Sequence, residues 1–210
     1  MKNRKLKFVA RNKANLRLKP VMLAMAAIFP CQVMASIVVD TNEERKLNVG
    51  AAANGTPLIN INDPNNKGIS HNKYADFNVG QQGVIFNNSM QDGVSATGGF
   101  VIKNNQLSSE AQVILNEVTG VKGSHLAGSM EVFGRKADLI VANENGITVN
   151  GVSTVNANNL TLSTGRVNYD QGGNIQLAVE RGNVSVEGAG INTDGLSYFD
   201  IVSRSATLSG

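Results

Sequence analysis

The sequence predicts an all-β protein, and within that class a right-handed parallel β-helix solenoid with short capping or extra-helical strands. Three observations lead there. Past residue 35, apolar runs are short and are separated by Asn/Gly turns, with no long stretch of helical period. Examples are Ser36-Ile37-Val38-Val39, Pro57-Leu58-Ile59-Asn60-Ile61, Gly83-Val84-Ile85-Phe86, Phe100-Val101-Ile102 and Gln112-Val113-Ile114-Leu115. In the second half, apolar alternations recur at roughly 20-residue spacing: Ile140 and Ile147, Leu160 and Leu162, Leu177 and Val179, Val184 and Val186, Phe199 and Ile201. Finally, Asn143, Asn145, Asn156, Asn158, Asn159, Asn174 and Asn183 fall at corners, where stacked amides can satisfy the backbone of the next coil. Short strands with frequent turns also suit a sandwich or barrel. The corner asparagines tip the balance toward the β-helix.

The chain opens with a leader. Residues 1–19 carry Lys2, Arg4, Lys5, Lys7, Arg11, Lys13, Arg17 and Lys19 and no acid. Val21 to Phe29 is apolar but too short to span a ~30 Å bilayer core comfortably. Val33-Met34-Ala35 supplies small residues for cleavage, so residues 1–35 read as a secretory signal peptide. Cys31 is expected to leave with it. Nineteen basic residues less those eight leaves eleven, against sixteen acidic, a net of −5 for residues 36–210. No basic face remains to hold phosphates, and nucleic acid is excluded as a partner. Without cysteine, that part must be held by packing and backbone hydrogen bonds.

The most informative stretch is Asn143-Glu144-Asn145-Gly146-Ile147, a turn between Leu139-Ile140-Val141-Ala142 and Thr148-Val149-Asn150-Gly151. Asn can hydrogen-bond its own backbone two residues on, and Gly takes positive φ without a steric penalty. The stretch resembles the Asn-Pro-Asn-Gly-Ile box of the two-partner secretion domain, the haemagglutination activity domain at the N-terminus of filamentous-haemagglutinin-like exoproteins, haemolysins and contact-dependent inhibition toxins. Further landmarks are similar and follow in the same order: Asn60-Ile61-Asn62, Gly68-Ile69-Ser70-His71-Asn72, Tyr74 to Gly80, Val84-Ile85-Phe86-Asn87-Asn88, Val113 to Val118, Glu131-Val132-Phe133-Gly134 and Gly195 to Ile201. The resemblance covers residues 36–210. It departs at Glu144, where the family has Pro, and at Lys122-Gly123-Ser124-His125-Leu126, where only Ser124 and Leu126 fit a second family box.

Catalysis finds little support. A Ser/His/Asp arrangement could be assembled from Ser70, His71 and Asp76, yet no nucleophile elbow accompanies it, and His71 is expected to fix a loop by hydrogen bonding. A carbohydrate-active β-helix enzyme would need clustered carboxylates with a Lys or Arg on one face, whereas the acids here are scattered. With His71 and His125 as the only histidines, no zinc site is expected. Gly172-Gly173-Asn174 is one turn rather than a repeated calcium motif. No cofactor or metal is expected.

The resemblance implies a non-enzymatic secretion module, exported by the Sec machinery and cut by signal peptidase. A dedicated outer-membrane β-barrel transporter of a Gram-negative cell would bind it in the periplasm, and it would fold at the cell surface or outside. Host-cell surface glycans are a further expected partner of an adhesin of this kind. Asn143, Asn145, Gly146 and Ile147 inherit the role of the box, with Asn87, Asn88 and Asn116 as secondary candidates. The rival readings are a secreted carbohydrate-active β-helix enzyme and a direct glycan-binding adhesin. Because Ser205 to Gly210 still alternates like a strand, the chain is expected to be a truncated N-terminal part of a longer exoprotein.

Overall fold

The computed structural model describes residues 36–42 and 47–209, so the expected leader and its cleavage site lie outside the described residues. The described residues form a parallel β-helix. Its strands are β1 (Ser36–Val39), β2 (Asn48–Ala51), β3 (Pro57–Asn60), β4 (Ile69–Asn78), β5 (Val84–Asn88), β6 (Gly93–Ser95), β7 (Gly99–Val101), β8 (Val113–Val118), β9 (Ser124–Leu126) and β10 (Ser129–Gly134). They continue as β11 (Ala137–Asn143), β12 (Ile147–Val149), β13 (Ser153–Val155), β14 (Ala157–Ser163), β15 (Gly165–Tyr169), β16 (Ile175–Val179), β17 (Asn183–Val186), β18 (Tyr198–Val202) and β19 (Ser205–Leu208).

Each coil visits three faces in turn. The first sheet runs β1-β4-β8-β11-β14-β18, the second β13-β10-β5-β3-β2 and the third β19-β17-β12-β9. Single bridges, Val79 to Leu126 and Val152 to Ile191, fill positions that lack a full strand. Where no excursion intervenes, successive coils are about 20–25 residues apart, as in Val113 beside Asp138 and Leu139 beside Leu160. At the N-terminal end, β1 pairs antiparallel with β4 and β2 antiparallel with β3. These two strands cover edges that would otherwise present unpaired backbone groups.

Register stacks like on like inside the helix. Ile114, Leu139, Leu160 and Phe199 form one row of the first sheet. Leu126, Val149 and Val186 form a row of the third, which Leu208 continues in register as an exposed residue. Leu139, Leu160, Val149 and Leu126 have no exposed surface, and each such side chain contributes about 1.5–3 kcal/mol by burial. The first coils add an aromatic cluster, with Tyr74 and Phe77 ring centres 4.8 Å apart and Phe77 and Phe86 6.3 Å apart.

Two excursions interrupt the winding. The antiparallel hairpin β6–β7 covers the outside of the second sheet, where Ala52, Ile85, Val101 and Phe133 make a small separate core. It is clasped there by Glu131, whose carboxylate accepts from Ser95 Oγ (2.7 Å), Ala96 N (2.8 Å), Thr97 N (2.9 Å) and Thr97 Oγ1. The second hairpin, β15–β16, contains Leu177 and Val179. Those two residues therefore belong to an extra-helical ribbon, not to a coil as their alternation suggested. Ile140 also differs from expectation. It is half-buried, while its neighbours Leu139 and Val141 face the core.

Candidate functional site

The Asn143 to Ile147 stretch makes the corner between β11 and β12. Its turn is closed by Gly146 N donating to Asn143 O at 3.1 Å. Inside the turn, Asn145 N donates to Asn143 Oδ1 at 2.9 Å, a side chain standing in for a backbone acceptor. Gly146 has φ 109°, the left-handed region that a side chain rarely adopts, whereas Asn145 does not. Of the two, only the glycine supplies unusual backbone geometry.

The corner is stitched to the one beneath it. Asn143, 1 % exposed, donates from Nδ2 to Lys122 O and to Ser124 Oγ, both at 2.9 Å. Asn145 Nδ2 donates to Gly120 O at 2.8 Å, and Ser124 N returns a bond to Gly146 O at 3.0 Å. Ile147 is buried and pairs with Ser124 on one side and Val184 on the other. The coil above also presses close. A methyl group on Gly146 would stand 3.1 Å from Asn183 O, and one on Gly182 would stand 2.7 Å from Glu144 O. Residues 120–124 are thus part of the site, although the sequence offered only Ser124 and Leu126 as a hint.

Glu144 points to a different neighbour. Its carboxylate accepts from Arg166 Nε (3.0 Å) and Nη2 (3.3 Å), and Arg181 Nε lies 3.5 Å away. The Arg166 hydrogen bonds and the charges of Arg166 and Arg181 hold the Glu144 carboxyl below its ordinary range, against the opposing effect of burial. Arg166 lies at the start of β15 and Arg181 just past β16, so Glu144 ties the corner to the root of that ribbon.

The secondary candidates lie elsewhere and do not join this corner. Asn87 donates to Asn60 Oδ1 (2.7 Å) and Ile102 O (2.9 Å). Asn88 donates to Ala111 O and Arg135 O, both at 2.9 Å, and accepts from Ala111 N at 2.7 Å. Together they pin the start and end of the excursion over residues 89–111. Asn116 sits in the core, accepts from the Tyr74 hydroxyl at 3.0 Å, and stacks in register on Asn72.

The other corner asparagines act in mixed ways. Asn156, at φ 56°, reaches back to Val132 O (2.8 Å) and Gly134 O (2.9 Å). Asn158 and Asn159 instead share the Asp138 carboxylate, and Asn174 closes the β15–β16 loop onto Asp170. Amide-on-amide stacking occurs at Asn72/Asn116 and Asn60/Asn87 rather than at the corners where it was expected.

Ser70, His71 and Asp76 do not assemble. Strand alternation turns Ser70 inward, where its hydroxyl donates to Asn62 O at 2.6 Å. His71 turns outward between Glu117 Oε2 (2.8 Å from Nε2) and Tyr169 Oη (2.9 Å from Nδ1), and Asp76 pairs with Lys122 at 2.8 Å. His71 fastens the β15–β16 ribbon to β4. Among the described residues no three His, Cys, Asp or Glu side chains gather as a metal site.

A parallel β-helix capped by antiparallel strands and carrying an Asn/Gly corner locked between coils defines a β-solenoid domain. The chain belongs to the TPS secretion domain family, whose model matches residues 35–210. It is 46 % identical over 201 residues to filamentous hemagglutinin of Bordetella pertussis, covering 93 % of this chain and 6 % of that protein. It is 42 % identical over 212 residues to the 16S rRNA endonuclease CdiA of Enterobacter cloacae subsp. cloacae, covering 99 % of this chain and 6 % of that one. The chain therefore spans about 6 % of the length of these relatives. The crystal structure of the filamentous hemagglutinin secretion domain superposes with a TM-score of 0.78 at 49 % identity, covering 83 % of this chain and 57 % of that one.

Proposed function

We propose that this domain addresses a large exoprotein to a dedicated outer-membrane transporter and then seeds its β-helix outside the cell. The leader carries the chain into the periplasm, where the transporter's periplasmic domains hold it unfolded. Threading outward, it winds coil by coil, because each coil needs only the one before it. The domain performs no chemistry of its own.

The observation that carries this reading is the double stitching of the Asn143 to Ile147 corner. Asn143 and Asn145 spend their amides on Gly120, Lys122 and Ser124 of the preceding coil. A corner of this kind closes only after that coil is in place, so it acts as a checkpoint for winding. Asn143, Asn145, Gly146 and Ile147 then matter to export through folding, and the transporter reads the chain before the corner exists.

The test is secretion in cells carrying the cognate transporter. Replacing Asn145 and Gly146 together by Ala should stop the domain reaching the medium while the leader is still removed. Unchanged secretion of the double variant would take the corner out of the export mechanism.

A further inference from the structure

The chain has three Asn-Gly dipeptides, at 54–55, 145–146 and 150–151. In an unfolded chain such a pair is self-reactive, since glycine leaves the following amide nitrogen unshielded and free to rotate. The Gly nitrogen attacks the Asn Cγ, a new N–Cγ bond forms, the Cγ–Nδ2 bond breaks, and Nδ2 departs as ammonia. Water then opens the five-membered imide at either carbonyl, giving aspartate or isoaspartate. The net change is amide plus water to acid plus ammonia, with no redox partner.

The folded corner restrains this chemistry at Asn145. The attacking group, Gly146 N, has its proton committed to Asn143 O at 3.1 Å. The leaving group, Asn145 Nδ2, is held by Gly120 O at 2.8 Å and Asn143 Oδ1 at 3.2 Å. Packing adds to this, because Gly146 lies against Asn183 of the next coil. Asn150 differs. Its attacking nitrogen is likewise committed, Gly151 N donating to Gly190 O at 2.8 Å. The residue is exposed, however, and its amide is engaged through the oxygen, which accepts from Ala189 N at 3.0 Å, rather than through the leaving Nδ2. Asn54 is exposed as well, with Nδ2 on Thr97 O at 2.7 Å.

We infer that Asn145-Gly146 is a spontaneous modification site that folding switches off and the unfolded chain leaves open. The product cannot rebuild the corner. An aspartate at 145 has no donor for Gly120 O, and an isoaspartate adds a backbone atom that moves Gly146 N out of register with Asn143 O. A chain kept unfolded is therefore marked irreversibly at the residue whose amide locks two coils. This holds whether or not the corner serves export.

The full chain tests it, incubated in mildly alkaline buffer with and without urea. The tryptic peptide 137–166 contains both Asn145 and Asn150, and fragmentation assigns the acid to one or the other. In urea the two sites should react within about threefold of each other, as both are Asn-Gly. Without urea, Asn145 should slow at least about tenfold more than Asn150, because at Asn145 the leaving amide as well as the attacking nitrogen is freed only when the corner opens. Gly146→Ala measured in urea, where folding plays no part, should slow Asn145 about tenfold. Equal slowing of both sites on folding would overturn the inference. So would recovery of full protease resistance, after dilution from urea, by chains carrying acid at 145.

Discussion

Glu144 grips Arg166 through two nitrogens, at 3.0 and 3.3 Å, and so joins the Asn/Gly corner to the first strand of the β15–β16 ribbon. Between the two asparagines of the corner this chain has a carboxylate that reaches sideways. The corner thus does two tasks here, locking onto the coil below and anchoring a ribbon beside it.

That contact sets a pH dependence. The Glu144 carboxyl is held below its ordinary range by the Arg166 hydrogen bonds first and by both arginine charges after them. A depressed carboxyl contributes its stabilisation above the unfolded value and loses it as pH falls through the folded one. The Glu144 contribution to the ribbon's protection from proteolysis should therefore be lost as pH falls below the ordinary glutamate range, about pH 4. Glu144→Gln should weaken protection at neutral pH and flatten the acid response. Identical acid profiles for the two proteins would show that another group governs the ribbon.

Tyr74 gives a second measurable case. Its phenol is fully buried and donates to Asn116 Oδ1 at 3.0 Å, and burial pushes its ionisation well above the usual range. Tyr74→Phe keeps the ring but strands a buried acceptor, which costs about 1–3 kcal/mol. The double variant with Asn116→Leu should cost less than the sum of the two single changes, because neither partner is left unpaired. Urea unfolding of the three variants decides this, and strict additivity would mean the bond contributes nothing.

Much of the fold was legible because turn chemistry and strand spacing are local. Asn143 and Gly146 announce a corner whatever surrounds them. Facing was less legible in Leu139-Ile140-Val141-Ala142, since an unbroken apolar run does not reveal which alternate set points inward. Leu177 and Val179 misled for a related reason, because a hairpin strand alternates as a coil strand does and only its partner tells them apart. The stitching was legible in kind, as corner amides satisfying a neighbouring coil, but its partners Gly120, Lys122 and Ser124 were not. Those contacts lie one coil away, and their register emerges only when the coils stack.

Glu131 should hold the β6–β7 excursion in place. It is 3 % exposed, and its carboxylate accepts from Ser95, Ala96 and Thr97. Glu131→Ala removes those acceptors and leaves a gap beneath the hairpin, with an expected loss of about 2–4 kcal/mol. Limited proteolysis should cut first within residues 93–101, while the coils beyond β11 stay protected. Cleavage spread evenly along the chain would show that the hairpin is not separately clasped.

A tight glycine approach between coils yields the last prediction. Gly120 packs so tightly that a methyl group there would overlap the Ala75 carbonyl oxygen in β4, and its own oxygen receives the Asn145 amide. Backbone cannot yield as a flexible side chain can, so Gly120→Ala must push two coils apart or break the corner bond. Overpacking of this kind costs about 1–3 kcal/mol, and the lost hydrogen bond adds to it. Gly50 provides the contrast. It is exposed in β2, has no left-handed backbone angle, and a methyl group there meets nothing within 4 Å. Gly50→Ala should be neutral or stabilise by about 0.4–1 kcal/mol, since alanine restricts the unfolded chain. Urea midpoints should therefore move in opposite directions, or only Gly120→Ala should move. Equal midpoints for the two variants would mean the coils can separate at this corner without cost, and the account of Gly120 as the tight spacer beneath Asn145 would fail.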